Sequence, residues 1–191
     1  MDAIELLLKR VSVPRLQDPA PTAEQLELML RAALRAPDHG QLRPWRFLTI
    51  AGDKRKQLGE LFVQGLLSTE PNASAEQIEK TRSLPMRAPL LLVVIASVSA
   101  DPKVPAQEQL LAAGCAAHGV LLAAHALGVG AVWRTGAMAQ LTTINEGLGL
   151  QDNEQILAYI YLGTPINSLR KAPELDPAAY VRSWPEEPIG S

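Results

Sequence analysis

The sequence predicts an α+β protein, with helices on both sides of a sheet of about four strands. Three observations lead there. Residues 89–97, PLLLVVIAS, are apolar on both faces, as a central strand covered from two sides must be. Several other segments carry apolar residues at helical spacing behind an acidic or hydroxyl cap. Residues 110–127 form an almost unbroken apolar and small-residue run that has to be buried somewhere.

Taken in order, Asp2 caps a first helix, with Glu5 in the reciprocal capping-box position. Thr22 caps a second with Gln25, and Leu26, Met29, Leu30 and Ala33 follow at helical spacing. Residues 46–52, RFLTIAG, read as a strand, and Asp53 opens a helix through Leu58, Leu61 and Phe62. A polar, mobile-looking stretch at 68–73 precedes a helix capped by Ser74 with Gln77. After the strand at 89–97 comes the long helix, with Pro105 near its first position and Gly128 placed to stop it. Residues 129–134, VGAVWR, are a strand. Thr143 with Glu146 caps a short helix, and 156–163, ILAYIYLG, is the last strand.

The tail, 164–191, has prolines at 165, 173, 177, 185 and 188 and little periodicity. It nevertheless keeps Leu169, Leu175, Tyr180, Val181 and Trp184, too many large apolar groups for a free tail. These are expected to lie against this subunit or a partner. The length, 191 residues, suits a single domain, 1–191.

Composition narrows the function. A net charge of −2 offers no broad positive field, so neither nucleic acid nor an anionic membrane surface is expected as a partner. One cysteine, Cys115, excludes an intrachain disulfide and any multi-cysteine metal site and fits a reducing, cytoplasmic setting. The N-terminus, MDAIELLLKR, is the reverse of a secretory signal. Residues 110–127 barely reach the ~18–20 needed to span a bilayer, and His118 and His125 interrupt them, so a buried helix is the reading. Those two histidines have no carboxylate beside them and are read as core or interface residues, not as a metal site. Rossmann, P-loop and G-x-S-x-G fingerprints are missing.

Three short stretches concentrate arginine with hydroxyl or turn residues: Lys9 to Arg15, RAPDHGQLRPWR at 35–46, and WRTG at 133–136. Bidentate guanidinium donors, a hydroxyl and turn N–H groups are what a phosphate needs. Each stretch alone also suits a solvated loop; all three at element ends suggest one shared pocket.

Arg10-x-Ser12-x-x-Arg15 resembles the N-terminal R-R-S-x-R motif of the FMN-dependent nitroreductases. RAPDHGQLRPWRF resembles that family's A-P-S-x-x-N-x-Q-P-W-x-F motif, and AGCAAHGVLLAAHALGVGAVWRTG resembles its central helix, strand and phosphate loop. The likeness runs over essentially the whole chain. Asp38, His39 and the WRTG run are similar to the small YdjA-like branch. Val11 replaces the second arginine, and Gln41 and Arg43 stand where the wider family has Asn and Gln.

The resemblance implies a nitroreductase-like α+β fold, with a mostly antiparallel sheet flanked by helices and an extended C-terminal tail packing on the partner of a homodimer. It implies one non-covalent FMN per subunit at the interface and NADH or NADPH as reductant. Ping-pong hydride transfer through flavin N5 would reach a nitroaromatic, quinone or similar electron-poor acceptor. No catalytic side chain is implied, because the cofactor carries the hard chemistry. The cofactor-binding residues it implies are Arg10, Val11, Ser12, Arg35, His39, Trp133, Arg134 and Thr135, with Arg35 and His39 reaching over from the partner. Trp45 reads as an apolar plug under its strand; Trp133 suits either core packing or flavin lining. Ala123, Ala124, His125, Ala126, Leu127 and Gly128 are implied at the nicotinamide nucleotide. The alternatives are an FMN-binding protein and a flavoenzyme with a specific non-nitro metabolic substrate. Substrate choice is expected in 68–87 and 101–107.

Overall fold

The structure, a computed structural model, describes residues 2–184. Its first helix, α1 (Ala3–Lys9), is capped by the Asp2 carboxylate accepting the Glu5 N–H. Glu5 does not reach back to complete the box; its side chain pairs with Lys9 one turn on instead. The capping boxes of α2 (Ala23–Ala33) and α4 (Ala75–Arg82) form in full, through Thr22 with Gln25 and Ser74 with Gln77.

The described residues form five strands, one more than the hydrophobic pattern indicates: β1 (Leu16–Gln17), β2 (Trp45–Ala51), β3 (Leu90–Ser97), β4 (Gly130–Arg134) and β5 (Glu154–Pro165). β1 is two residues long, too short for any periodicity to register. β5 pairs with β3, β4 and β1, and β2 pairs with β3, every pairing antiparallel. β3 is buried almost throughout, as its two apolar faces require.

The two faces of the sheet bury different partners. Leu91, Val93, Ile95, Val132, Tyr159 and Tyr161 face α3 (Lys54–Thr69) and α6 (Thr142–Gly147), where the Phe62 ring meets Tyr159 edge-on at 5.4 Å. Leu90, Leu92, Val94, Ala131, Ile160 and Leu162 face α2 and α5 (Ala106–Ala126). The small residues of α5 let it approach α2 closely: a Cβ on Gly119 would lie 3.0 Å from the Ala32 carbonyl oxygen. α5 is long and apolar enough to cross a membrane by composition. However, Ala113, Ala116, Ala117, Val120 and Ala124 are fully buried against the sheet and α2, which makes it a core helix.

Several local readings give way to tertiary packing. Pro105 sits at the N-cap of α5, one position before the helix. Asp53 precedes α3 without a side-chain cap, and α3 continues to Thr69, into the stretch read as mobile. α6 begins at Thr142 with Leu141 at its cap, so the Thr143–Glu146 box does not form. The tail is tied at its start by Ile166 N–H to Arg15 O and by the Thr164 hydroxyl to Pro19 O. Beyond that, Leu175, Tyr180, Val181 and Trp184 are exposed in the single chain, Trp184 to 93%. Residues 185–191, the rest of the expected partner-packing tail, lie outside the described residues.

Candidate functional site

α1 ends where the Arg10 N–H closes on Leu6 O, and the chain then runs extended beside β4, held by Val13 N–H to Ala131 O at 2.8 Å. Because β1 pairs with the end of β5, the segment after Arg10 and the start of the tail lie side by side. Between them is a cavity of ≈ 280 Å³ lined by Ser12, Arg15, Asn167, Ser168 and Arg170. Two arginines, two serines and an asparagine make its polar lining, Val13, Pro14 and Leu169 the rest, and no carboxylate among the described residues lines it. Such a donor set suits a phosphate monoester. Arg10 and Val11 turn the other way, into a smaller cavity shared with His125, Gly128 and Leu169. Burial, and next the Arg10 cation, hold the His125 imidazole below its ordinary pKa.

At the end of β4 the alternation of side chains separates three expected ligands. Trp133 leaves on the α5 face and packs against that core; its indole N–H donates to the Thr135 hydroxyl, which donates in turn to Leu157 O. The Thr135 hydroxyl is thus committed, with one lone pair to spare. Arg134 leaves on the α3 face, its guanidinium 5.8 Å from the Tyr161 ring centre. The Arg134 Nε is buried and has no hydrogen-bond partner among the described residues. An orphaned guanidinium donor is costly in a folded chain unless something else completes it. Burial raises the Tyr161 pKa, and Arg87 and Arg134 oppose that shift.

RAPDHGQLRPWR forms a tight turn in which Gly40, Gln41 and Arg43 all have positive φ, at 72°, 55° and 49°. The left-handed region is uncommon for residues with a Cβ and marks stored strain of order 1–3 kcal/mol each. The turn is held by Asp38, whose carboxylate accepts the Arg43 N–H and whose carbonyl accepts the Gln41 N–H. His39 Nδ1 meets Glu108 Oε2 at 2.7 Å. Arg35, just past α2, projects exposed. Arg46 makes no part of a ligand cradle: it forks onto both oxygens of Glu154, at 2.6 Å each. Trp45 is half-buried against the α5-side core, as a plug should be.

Of the six residues expected at a nicotinamide, Ala126 and Gly128 are exposed, and Ala123, His125 and Leu127 are half-buried. Ala124 is fully buried, and Ala123 and Leu127 pack against the same core. Among the described residues, no group of His, Cys, Asp or Glu could hold a metal ion.

The structure brings Arg10, Val11, His125 and Gly128 together, and Ser12 beside them. It keeps His39, fastened to Glu108 near the start of α5, apart from that group. Three strand residues, about 10 Å, separate Ala131 beside the Arg10 segment from Arg134. Residue-type reasoning assigned no role to Asn167, Ser168, Arg170 or Glu108. Arg170 sits in an aperiodic tail, where an arginine reads as solvated, and Arg15 was visible only inside its motif.

The fold is an α+β sheet with helices on both faces and a polar cavity at the ends of several elements. A model of the nitroreductase family matches residues 7–164, and the chain belongs to that family, a family of oxidoreductases. The chain is 42% identical over 165 residues to the provisionally named NAD(P)H nitroreductase YdjA of Escherichia coli K12, covering 86% of this chain and 89% of that one. Its fold matches a nitroreductase-like family protein from Bacillus cereus at a TM-score of 0.83, with 21% identity and 96% of both chains covered. It also matches a variant of NfnB, an FMN- and NADPH-dependent nitroreductase from Sphigopyxis sp. strain HMH, at a TM-score of 0.72 and 17% identity, over 97% of this chain and 100% of that one.

Proposed function

We propose that this protein is a cytoplasmic, homodimeric FMN-dependent NAD(P)H oxidoreductase of nitroreductase type. It passes two electrons in ping-pong order from NADH or NADPH to a nitroaromatic, quinone or similar electron-poor acceptor. The observation that carries the reading is the cavity between the Arg10 segment and the tail. Its Ser12, Arg15 and Arg170, beside Asn167 and Ser168, give a cavity of ≈ 280 Å³ a cationic, donor-rich side with room for a phosphate, in a chain whose net charge is −2. The orphaned Arg134 Nε supports it from the next strand, as a buried donor awaiting an acceptor.

In this reading Ser12, Arg15 and Arg170 hold the FMN phosphate, and Arg10 lines the neighbouring cavity with His125 and Gly128. Arg134 and the backbone at Thr135 face the ribityl chain and ring. The Trp133–Thr135–Leu157 hydrogen-bond chain fixes the geometry of that loop. His125, Ala126 and Gly128 lie at the nicotinamide nucleotide. The chemistry FMN supplies there is reversible two-electron transfer at its N5, so the chain's own work is binding, orientation and exclusion.

Arg35 and His39 serve the partner's flavin. His39 is fastened near the start of α5 by Glu108, while Arg10 faces His125 near its end. The helix separates them by about 25 Å at 1.5 Å per residue, more than one flavin held by one chain would bridge. The exposed Leu111, Cys115 and His118 on α5, with Ile4, Leu7 and Leu8 on α1, supply an apolar face for the second copy.

The test is purification with its colour and a reductant. A yellow protein bleached by NADH or NADPH under argon supports the oxidoreductase. A yellow protein that resists bleaching favours a flavin-binding role, and a colourless one that ignores added FMN rejects the reading.

A further inference from the structure

Glu108 and His39 are 69 positions apart, and both are substantially exposed, their side chains at 47% and 62%. An exposed pair of this kind adds little to stability. Yet it is well formed, at 2.7 Å, and it fastens the single ring in the strained turn to the first turns of the core helix. The turn backbone is docked on the same region: a Cβ on Gly40 would lie 3.1 Å from the Val104 side chain. Val104 is itself fixed from behind. The buried Gln109 amide donates to Val104 O and Ser99 O and accepts the Ser99 N–H. Successive residues of α5, Glu108 and Gln109, thus hold the ring of the turn and the loop beneath it.

A carboxylate can only accept hydrogen bonds, so the hydrogen between the two groups sits on Nδ1. That orients the ring plane, keeps a proton on Nδ1 and leaves Nε2 directed away from Glu108. Second partners of this kind orient imidazoles in ligand sites generally. We infer that Glu108 is a positioning residue, which holds His39 with Nε2 presented to the flavin bound by the partner subunit. The inference rests on the shared-flavin reading above and adds to it the residue that makes the histidine's geometry definite.

The experiment titrates FMN into the full-length apoprotein and its variants His39→Ala, Glu108→Ala, Glu108→Gln and the double Ala variant. Long-range ¹H–¹⁵N spectra report the His39 tautomer in each variant that retains the ring. Freeing the ring should weaken FMN binding in Glu108→Ala by roughly five-fold, the cost of re-immobilising one side chain. Glu108→Gln, whose amide oxygen still accepts from Nδ1, should recover most of that loss. The double variant should bind no more weakly than His39→Ala alone, because Glu108 acts only through the ring. The spectra should show Nδ1–H in the wild type and a tautomer mixture in Glu108→Ala. Wild-type FMN affinity in Glu108→Ala or in His39→Ala would overturn the inference, as would additive losses in the double variant. A wild-type protein that binds no FMN would overturn the flavin reading itself, and is distinguishable from either result.

Discussion

His39 and Arg10 stand at opposite ends of one helix: Glu108 fastens the first near the start of α5, and His125 neighbours the second near its finish. If one flavin needs both residues, they come from different subunits. Arg35→Ala and Arg10→Ala should then each bind FMN poorly as homodimers. Co-refolding the two gives heterodimers with one site carrying both defects and one carrying neither. Flavin titration should show about half the heterodimer sites regaining affinity, whereas a pocket built within one chain shows no rescue.

The donor-lined cavity makes a prediction about the phosphate alone. Arg15→Ala and Arg170→Ala should each weaken FMN by about 10- to 100-fold, the worth of one charge-assisted contact (~1.5–3 kcal/mol). Arg10→Ala should behave alike if it reaches the same end. Riboflavin, which lacks the phosphate, is the control. Equal losses for both ligands place these arginines elsewhere.

Arg134 is predicted to separate stability from binding. Its buried Nε has no hydrogen-bond partner among the described residues, so Arg134→Leu removes an unsatisfied donor. The apoprotein melting temperature should hold or rise, while the rise produced by saturating FMN should shrink. A large drop in the apoprotein would show instead that the contact with Tyr161 is structural.

The Arg46–Glu154 fork sets a pH dependence. Glu154 is buried and Arg46 about a third exposed; the hydrogen bonds from Arg46 hold the Glu154 carboxyl below its ordinary range. A depressed folded-state value stabilises the fold above the unfolded carboxylate pKa, near 4.3, and that gain is lost as pH falls through the folded value. Glu154→Gln should cost about 2 kcal/mol at neutral pH. Denaturant titrations should show the gap between variant and wild type closing under acid; a gap constant with pH would refute the assignment.

Leu111→Glu tests the proposed face for the second copy. Leu111 is 62% exposed on α5, so a charge there costs the single chain little. Sedimentation should show a folded monomer with weakened FMN binding. An FMN-loaded dimer would move the interface elsewhere.

What the sequence by itself determined was local or strongly periodic. The boxes of Thr22 with Gln25 and Ser74 with Gln77 lie three residues apart, within reach of one helical turn, and both form. β3 and α5 announce their burial through continuous apolar runs, and Gly128 ends α5 in the left-handed conformation that favours glycine. The motif from Arg10 to Arg15 supplies Ser12 and Arg15 to the cavity beside the tail, while 35–46 and 133–136 contribute nothing to its lining. Tertiary structure alone decided which side chains meet. Arg15 and Arg170 share a cavity only because β1 pairs with the end of β5, a contact no local pattern encodes. Trp133 and Arg134 go to opposite faces because a strand alternates, and which face holds which helix is settled by packing. The Thr143–Glu146 box fails because α6 starts at Thr142, where contacts with its neighbours outweigh a cap that is worth about 1 kcal/mol. Local preference fixes where elements begin; long-range pairing fixes which residues become a site.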